Sequence, residues 1–380
     1  MFDAFLTAFV QEMASIKKSV YKILLVSVLP LLCFGMVIAI FEGGVLRGLP
    51  IAVVDNDNST LSRKLLFNIQ SSPTVDIKYH PTSMKEASSL LRSSEVYAIV
   101  VIDNNFMKNV LLQKHPKVSV MLNTQYILIG KILKSSLMST IMSSSAEVEY
   151  VKKLTTLQNP HFVINSISPI KLDIAALFNA NQNYFLFLVP PLVFSIWQIF
   201  IVVATIVSFG TMFKNTQEKK FFEGGFVKMK ILGKLTPYTV IYFLHGVLFL
   251  FYMYRFLGWE FQGSFGVVLF SMFLTVVAYE GMALLFFVTG FDYARSLSLG
   301  AVYTAPAFAF LGVTFPTISM NSFALFWRDM LPVSYFVELE ISQANYGLGI
   351  SYEITKLLCI LAFWIVFIPV FYRFQKRVLV

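Results

Sequence analysis

Long apolar runs separated by short polar ones dominate this 380-residue chain. A bilayer crossing takes about 20 apolar residues. Six runs reach that length, at roughly 21–41, 184–213, 236–257, 265–289, 296–315 and 355–374. Ahead of the first, Phe2, Phe5, Leu6, Phe9, Val10, Met13 and Ile16 recur at helical spacing, with Asp3, Gln11, Glu12 and Ser15 between them. This predicts an amphipathic helix over 1–19, too polar to span and suited to the headgroup plane, followed by a first span over 20–41. Pro30 lies in the middle of that span, and Pro190, Pro191 and Pro306 are expected to kink theirs. Membrane helices tolerate such breaks where neighbours satisfy the freed backbone. The lead-in is long and no small-x-small site follows, so the first run does not read as a cleaved signal peptide.

Between the first and second runs the pattern changes. Four strand-like stretches, "LPIAVVD", "VDIKY", "VYAIVVID" and "KVSVMLN", alternate with helical ones, "STLSRKLLFNI", "SMKEASSLLRS" and "NFMKNVLLQ". A long helix is expected from about 125 to 157. Alternating strands and helices predict a small α/β domain over 42–180, too rich in charges and turns for lipid. Asn58-Ser59-Thr60 matches a glycosylation sequon but reads more simply as a turn and helix cap.

Composition agrees. Charged residues make up 13% of the chain, against about 25% in soluble domains, and mean hydropathy is +0.70. The net charge of +9 comes from lysines and arginines flanking the apolar runs. That is the pattern of topology signals and anionic-lipid contact, not of nucleic-acid binding. Cys33 and Cys359 lie inside apolar runs, which argues against a disulfide or metal site. Basic residues cluster at Lys17, Lys18 and Lys22, at Lys214, Lys219, Lys220, Lys228, Lys230 and Lys234, and at Arg373, Lys376 and Arg377. The positive-inside rule makes all three regions cytoplasmic, and an even number of spans agrees. The α/β domain is then extracytoplasmic, since long domains translocate regardless of charge. The expected fold class is an α-helical membrane protein of six transmembrane helices, with that α/β domain inserted between helices 1 and 2.

Catalytic motifs are missing. Gly130-Lys131 and Gly233-Lys234 lack the upstream glycine and following hydroxyl of a P-loop, and His80, His115, His161 and His245 are scattered. No HExxH or GxSxG occurs. The chain is therefore not expected to be an enzyme by itself, and no cofactor or metal is expected on it. The insertion after span one leaves no matching halves, which weakens the case for a secondary carrier built from inverted repeats.

Three stretches carry a family resemblance. In "LGVTFPTISMNSFALFWRDMLPVSYFVELEI", residues Gly312, Phe315, Pro316, Met320, Pro332, Ser334, Tyr335 and Phe336 resemble the signature after the fifth span of ABC-2-type exporter permeases. "ILGKLTPYTVI" is similar to the Gly-Lys-x-x-Pro-Tyr that opens their third span. "IAVVDNDNSTLSRKLL" is similar to the start of the large external domain in the subgroup with one long insertion between spans one and two. The chain departs from the family in "FKNTQEKKFFEGGFVKMK", which lacks the usual Gly-Thr-Leu-Glu core of the coupling loop.

The resemblance implies a permease subunit in a bacterial inner membrane. It would pair with a second copy or a sister chain, and a separate cytoplasmic ABC ATPase would bind ATP and Mg. The substrate would be amphiphilic: a drug, lipid, glycan or peptide. A periplasmic adaptor belongs to the family's usual company. Coupling to the ATPase would run through the N-terminal helix and the loop 214–235, with Phe221 and Phe222 docking and Glu218, Lys219 and Glu223 at the rim. A re-entrant segment over 316–345 would place Phe315, Pro316, Met320, Phe323, Phe326 and Trp327 as an external gate, or as an interfacial aromatic belt. Glu280, deep in the fourth span with His245 a candidate neighbour, is either functional or a structural hydrogen bond between helices. The competing function is a membrane receptor or scaffold without transport.

Overall fold

The computed structural model describes residues 1–112, 114, 116–157, 178–179 and 183–379. His115, His161 and the end of the inserted region over 158–177 and 180–182 lie outside the described residues. The chain divides into two compact units, Met1–Gly44 with Ala176–Val380, and Val45–Ala175.

In the inserted unit, β1 (Leu49–Asp55), β2 (Val75–Tyr79), β3 (Ala98–Ile102) and β4 (Val118–Leu122) form one sheet in the order β2-β1-β3-β4. β1 pairs parallel with β2 and β3, whereas β3 and β4 are antiparallel. The near-continuous apolar run of β1 belongs to a strand covered on both faces. Leu49, Ile51 and Val53 pack with Ala98 and Val100 against Leu65 and Ile69 of α3 (Thr60–Gln70) and Leu133 and Leu137 of α6 (Ile127–Leu157). Ala52, Val54 and Ile99 face the other way, onto Ala87 of α4 (Met84–Arg92). A short α5 (Phe106–Leu111) leads into β4. "DNDNST" is turn and cap. The Asp55 carboxylate accepts the backbone N–H groups of Asp57 and Asn58, each at 3.0 Å, and Ser59 caps α3.

The helical unit begins with α1 (Phe2–Lys18) and α2 (Val20–Phe41). It resumes with α7 (Tyr184–Lys214), α8 (Glu218–Phe222), α9 (Val227–Phe256) and α10 (Phe265–Val288). Then come α11 (Tyr293–Thr304), α12 (Ala307–Phe310), α13 (Ser322–Asp329), α14 (Pro332–Ile341) and α15 (Ile350–Arg377). Five of these, α2, α7, α9, α10 and α15, are long and apolar enough to span a membrane. The run at 296–315, expected to be a sixth span, is instead broken. α11 stops at Thr304, Pro306 interrupts the backbone ladder, and Gly312 turns the chain with φ +86°. Other prolines relax the helix around them. The carbonyl four residues before Pro30 lies in the π-helical segment Leu24–Val28, and the one before Pro369 lies in the 3-10 segment Phe363–Val366.

Polar side chains cross between helices where no water would serve them. Trp197 Nε1 donates to the Tyr242 carbonyl at 2.9 Å, joining α7 to α9. Trp364 Nε1 donates to the Leu274 carbonyl at 3.1 Å, joining α15 to α10. Gln198 Nε2 donates to the freed Thr304 carbonyl at the end of α11, at 3.2 Å. Trp259 stands edge-on to Phe185, 5.0 Å away, and Trp327 tilts against Phe323 at 6.1 Å.

Candidate functional site

One end of the helical unit, here called basal, gathers the N-terminal helix, the loop between α7 and α9, and the last turns of α15. Its centre is Glu12. The face of α1 that turns inward carries Ala8, Glu12 and Ile16, while Phe2, Leu6 and Val10 are exposed. Glu12 Oε1 accepts hydrogen bonds from Lys22 Nζ at 2.8 Å, Tyr238 Oη at 2.7 Å and Ser208 Oγ at 3.0 Å. Its Oε2 accepts from Lys234 Nζ. Glu12 is 3% exposed. Burial alone would raise its pKa, but the ammoniums of Lys234 and Lys22 outweigh that and hold the carboxyl down, from 4.5 to about 2. Gly233 permits the approach of α1 to α9, because a Cβ there would lie 2.3 Å from the Phe5 carbonyl oxygen. The "GKLTPY" stretch thus supplies the gap (Gly233), the cation (Lys234) and a hydroxyl (Tyr238) that receive one carboxylate.

The expected coupling residues lie beside this cluster. Lys234 Nζ is 5.5 Å from the Phe221 ring centroid and 5.5 Å from that of Phe209. Phe222 is buried, 5.9 Å from the ring of Phe374 on α15. Of the aromatic pair expected to dock a partner, Phe222 is packed inside its own chain against Phe374, while Phe221 is half-buried beside Lys234. Lys230 Nζ donates to the carbonyls of Phe221 at 2.8 Å and Glu223 at 2.5 Å, closing the end of α8. Glu218 is half-buried, while Lys219, Lys220, Glu223 and Phe226 are exposed. Phe226, 55% exposed, follows the left-handed pair Gly224 and Gly225. Lys230 and Lys234 are tied into the structure rather than free on the loop.

α11 leads away from the basal end, and at the opposite end α12 to α14 continue it as a broken segment. Phe315, Pro316, Phe323 and Phe326 are exposed, Met320 is buried, and Trp327 is half-buried. These residues share one segment, but Met320 turns inward, away from the exposed rings. A Cβ at Gly312 would lie 2.6 Å from Thr317 Cγ2, which accounts for the glycine in that signature. Beside it opens a cleft of about 540 Å³, lined by Leu186, Phe187, Leu311, Val337, Arg328 and Lys356 among others. Glu338 pairs with Arg328, and its other oxygen is 3.9 Å from Lys356 Nζ. Two further carboxylates are buried at this end. Glu340 accepts from Tyr254 Oη, and Glu353 accepts from Ser342 Oγ and from Lys356 Nζ at 2.9 Å.

Glu280 is 1% exposed on α10, and both of its oxygens are 2.9 Å from Thr239 Oγ1 on α9. His245 is not its partner. It packs edge-on to Phe34 and Tyr242, and its Nδ1 has no hydrogen bond. Glu12, Glu340 and Glu353 escaped the sequence reading as site residues. The available signal for Glu12 was its place at i+4 between Ala8 and Ile16.

Five long apolar helices, buried interhelical polar contacts and a basic end define a multi-pass membrane protein. The family model described as ABC-2 family transporter protein matches residues 21–373, and the chain belongs to that family. It is accordingly the membrane permease component of an ABC transporter, a family whose permeases work with an ATPase partner. No curated protein matches the chain.

Proposed function

We propose that this permease is the membrane half of an exporter, driven by contact between its basal face and a separate cytoplasmic ABC ATPase that binds ATP and Mg. The observation that carries the reading is the convergence of α1, α8 and the end of α15 on one face. Phe222 packs on Phe374, Lys234 reaches Glu12, and Arg377 lies over the Phe291 ring at 5.8 Å. The three basic segments gather there, so this face is cytoplasmic under the positive-inside rule. The same orientation puts the residues between α2 and α7 outside the inner membrane, where a periplasmic adaptor is a further candidate partner. Lys219, Lys220, Glu223 and Phe226 are the surface offered to the ATPase, with Phe226 the apolar anchor and the charges at the rim. Phe221 and Phe222 support that surface from beneath.

Export of an amphiphile is supported by the cleft beside Gly312, where apolar walls meet the Arg328–Glu338–Lys356 group. Phe315, Pro316, Phe323, Phe326 and Trp327 stand at the external end of this path as its gate, with Met320 packed behind them. A second permease, identical or sister, completes it.

The test is purification from native membranes in mild detergent, with mass spectrometry of co-eluting proteins. An ATPase is expected with wild type and is expected to be lost from a Phe226→Ser, Lys219→Glu variant that still inserts. No ATPase with wild type supports the receptor or scaffold reading instead. Tagging of Lys219 or Lys220 by a membrane-impermeant reagent from outside intact cells overturns the orientation.

A further inference from the structure

The basal cluster has a property that topology anchoring does not require. Lys17 and Lys18 are exposed and serve as orientation signals without being buried. Lys22 and Lys234, by contrast, have side chains only 8% and 5% exposed, spent on one carboxylate. Burying such a group is costly, and well-packed apolar residues often serve stability as well. What a saturated carboxylate adds is directional registry among the elements that supply its donors.

Those elements are α1, α2, α7 and α9, through Glu12, Lys22, Ser208 and the pair Lys234 and Tyr238. Lys234 also lies over Phe221 of α8, and Lys230 holds the carbonyls at the end of α8 to the first turns of α9. Resting on the reading above, we infer that the Glu12–Lys234 pair is the positioning joint that makes α1, α8 and the basal turns of α7 and α9 move as one body. A push received at α8 or α1 then reaches the spans instead of being absorbed by a loose surface helix. Glu12 and Lys234 touch neither substrate nor nucleotide in this scheme. They act through the helices they hold together.

The first measurement uses the permease in lipid nanodiscs, with Cys33 and Cys359 replaced by Ala and spin labels at Gln11→Cys and Lys214→Cys, both exposed positions. One narrow distance is expected in the parent. Glu12→Gln and Lys234→Met should broaden it, and Lys234→Arg, which keeps the cation, should restore it. Ser208→Ala removes one donor without breaking the ion pair, so it should lower the unfolding midpoint yet leave the distance narrow. An unchanged narrow distance in both Glu12→Gln and Lys234→Met overturns the joint.

The second measurement uses the complex with its co-eluting ATPase, labelled at Lys214→Cys, exposed at the basal end of α7 and outside the docking surface, and at Ile318→Cys. Trapping with ATP and vanadate should shift this distance in the parent. Glu12→Gln should lose the shift while ATP hydrolysis continues, and a retained shift also overturns the joint. Absence of the shift in the parent, or of any co-eluting ATPase, counts against the exporter reading, and the nanodisc distances then decide the joint alone.

Discussion

Glu12 and Glu280 are both buried carboxylates of the helical unit, yet their surroundings differ in kind. Glu12 has two ammoniums and two hydroxyls around it. Glu280 has the hydroxyl of Thr239 and, among the described residues, no ion pair. The first lies at the basal end, where Lys22 arrives from the start of α2 and Lys234 from the early turns of α9. The second lies inside a span, where a cation would need a partner of its own. The contrast separates two uses of a buried acid. One binds several elements into a fixed register. The other links two helices through a single hydrogen bond.

The hardest blow to that contrast is Glu12→Ala, which leaves Lys22 and Lys234 buried together with no counter-charge. Breaking a buried pair costs about 3–5 kcal/mol, so the unfolding midpoint in detergent should fall steeply. Gly233→Val comes next, driving a side chain against the Phe5 carbonyl. Overpacking of this kind costs about 1–3 kcal/mol, and limited proteolysis should release α1. The cut should come between Lys18 and Lys22, leaving the rest of the chain intact.

Acidification attacks the same carboxylate without mutation. The folded pKa of Glu12 is depressed below 4.5, so its contribution is full above 4.5 and is lost as pH falls towards 2. Mobility of a label at Gln11→Cys should therefore stay constant from neutral pH to about 5 and rise only below that. Loosening at neutral pH would contradict a paired, ionised Glu12.

Thr239→Val probes the other acid, and interhelical hydrogen bonds in membranes average about 0.6 kcal/mol. Glu280→Gln should lower stability less still, since the amide keeps an acceptor for Thr239. Intact export by Glu280→Gln assigns that residue a structural bond, whereas loss of export at unchanged stability assigns it a working role. Smallest is Phe226→Ser, a surface change expected within about 0.5 kcal/mol. It should be silent in unfolding and visible only in ATPase co-purification.

The inserted sheet was legible because its signals are local. The strand at "IAVVD" and the Asx turn at "DNDN" are each settled within a few residues, and β1 to β4 fall on the stretches the alternation predicts. The five helices long and apolar enough to span were equally plain from length. The break after Thr304 was only half visible, since Pro306 announced a kink but hydropathy is blind to the left-handed turn at Gly312 that ends the run. The basal cluster was hidden for a different reason. Lys234 and Glu12 are 222 residues apart, and a lysine at a loop edge looks alike whether it meets water or a carboxylate. Sequence pattern likewise gives no direction to an aromatic pair, so Phe221 and Phe222 looked like an exposed dock while Phe222 packs inward on Phe374.

The chain's four tryptophans, Trp197, Trp259, Trp327 and Trp364, all belong to the helical unit. Ultraviolet emission excited at the indole band is therefore a reporter on that unit alone, and melting of the four-stranded sheet leaves it unchanged. Far-ultraviolet dichroism sums the helices of both units, so a loss of dichroism without a change in indole emission marks the inserted unit as the first to give way.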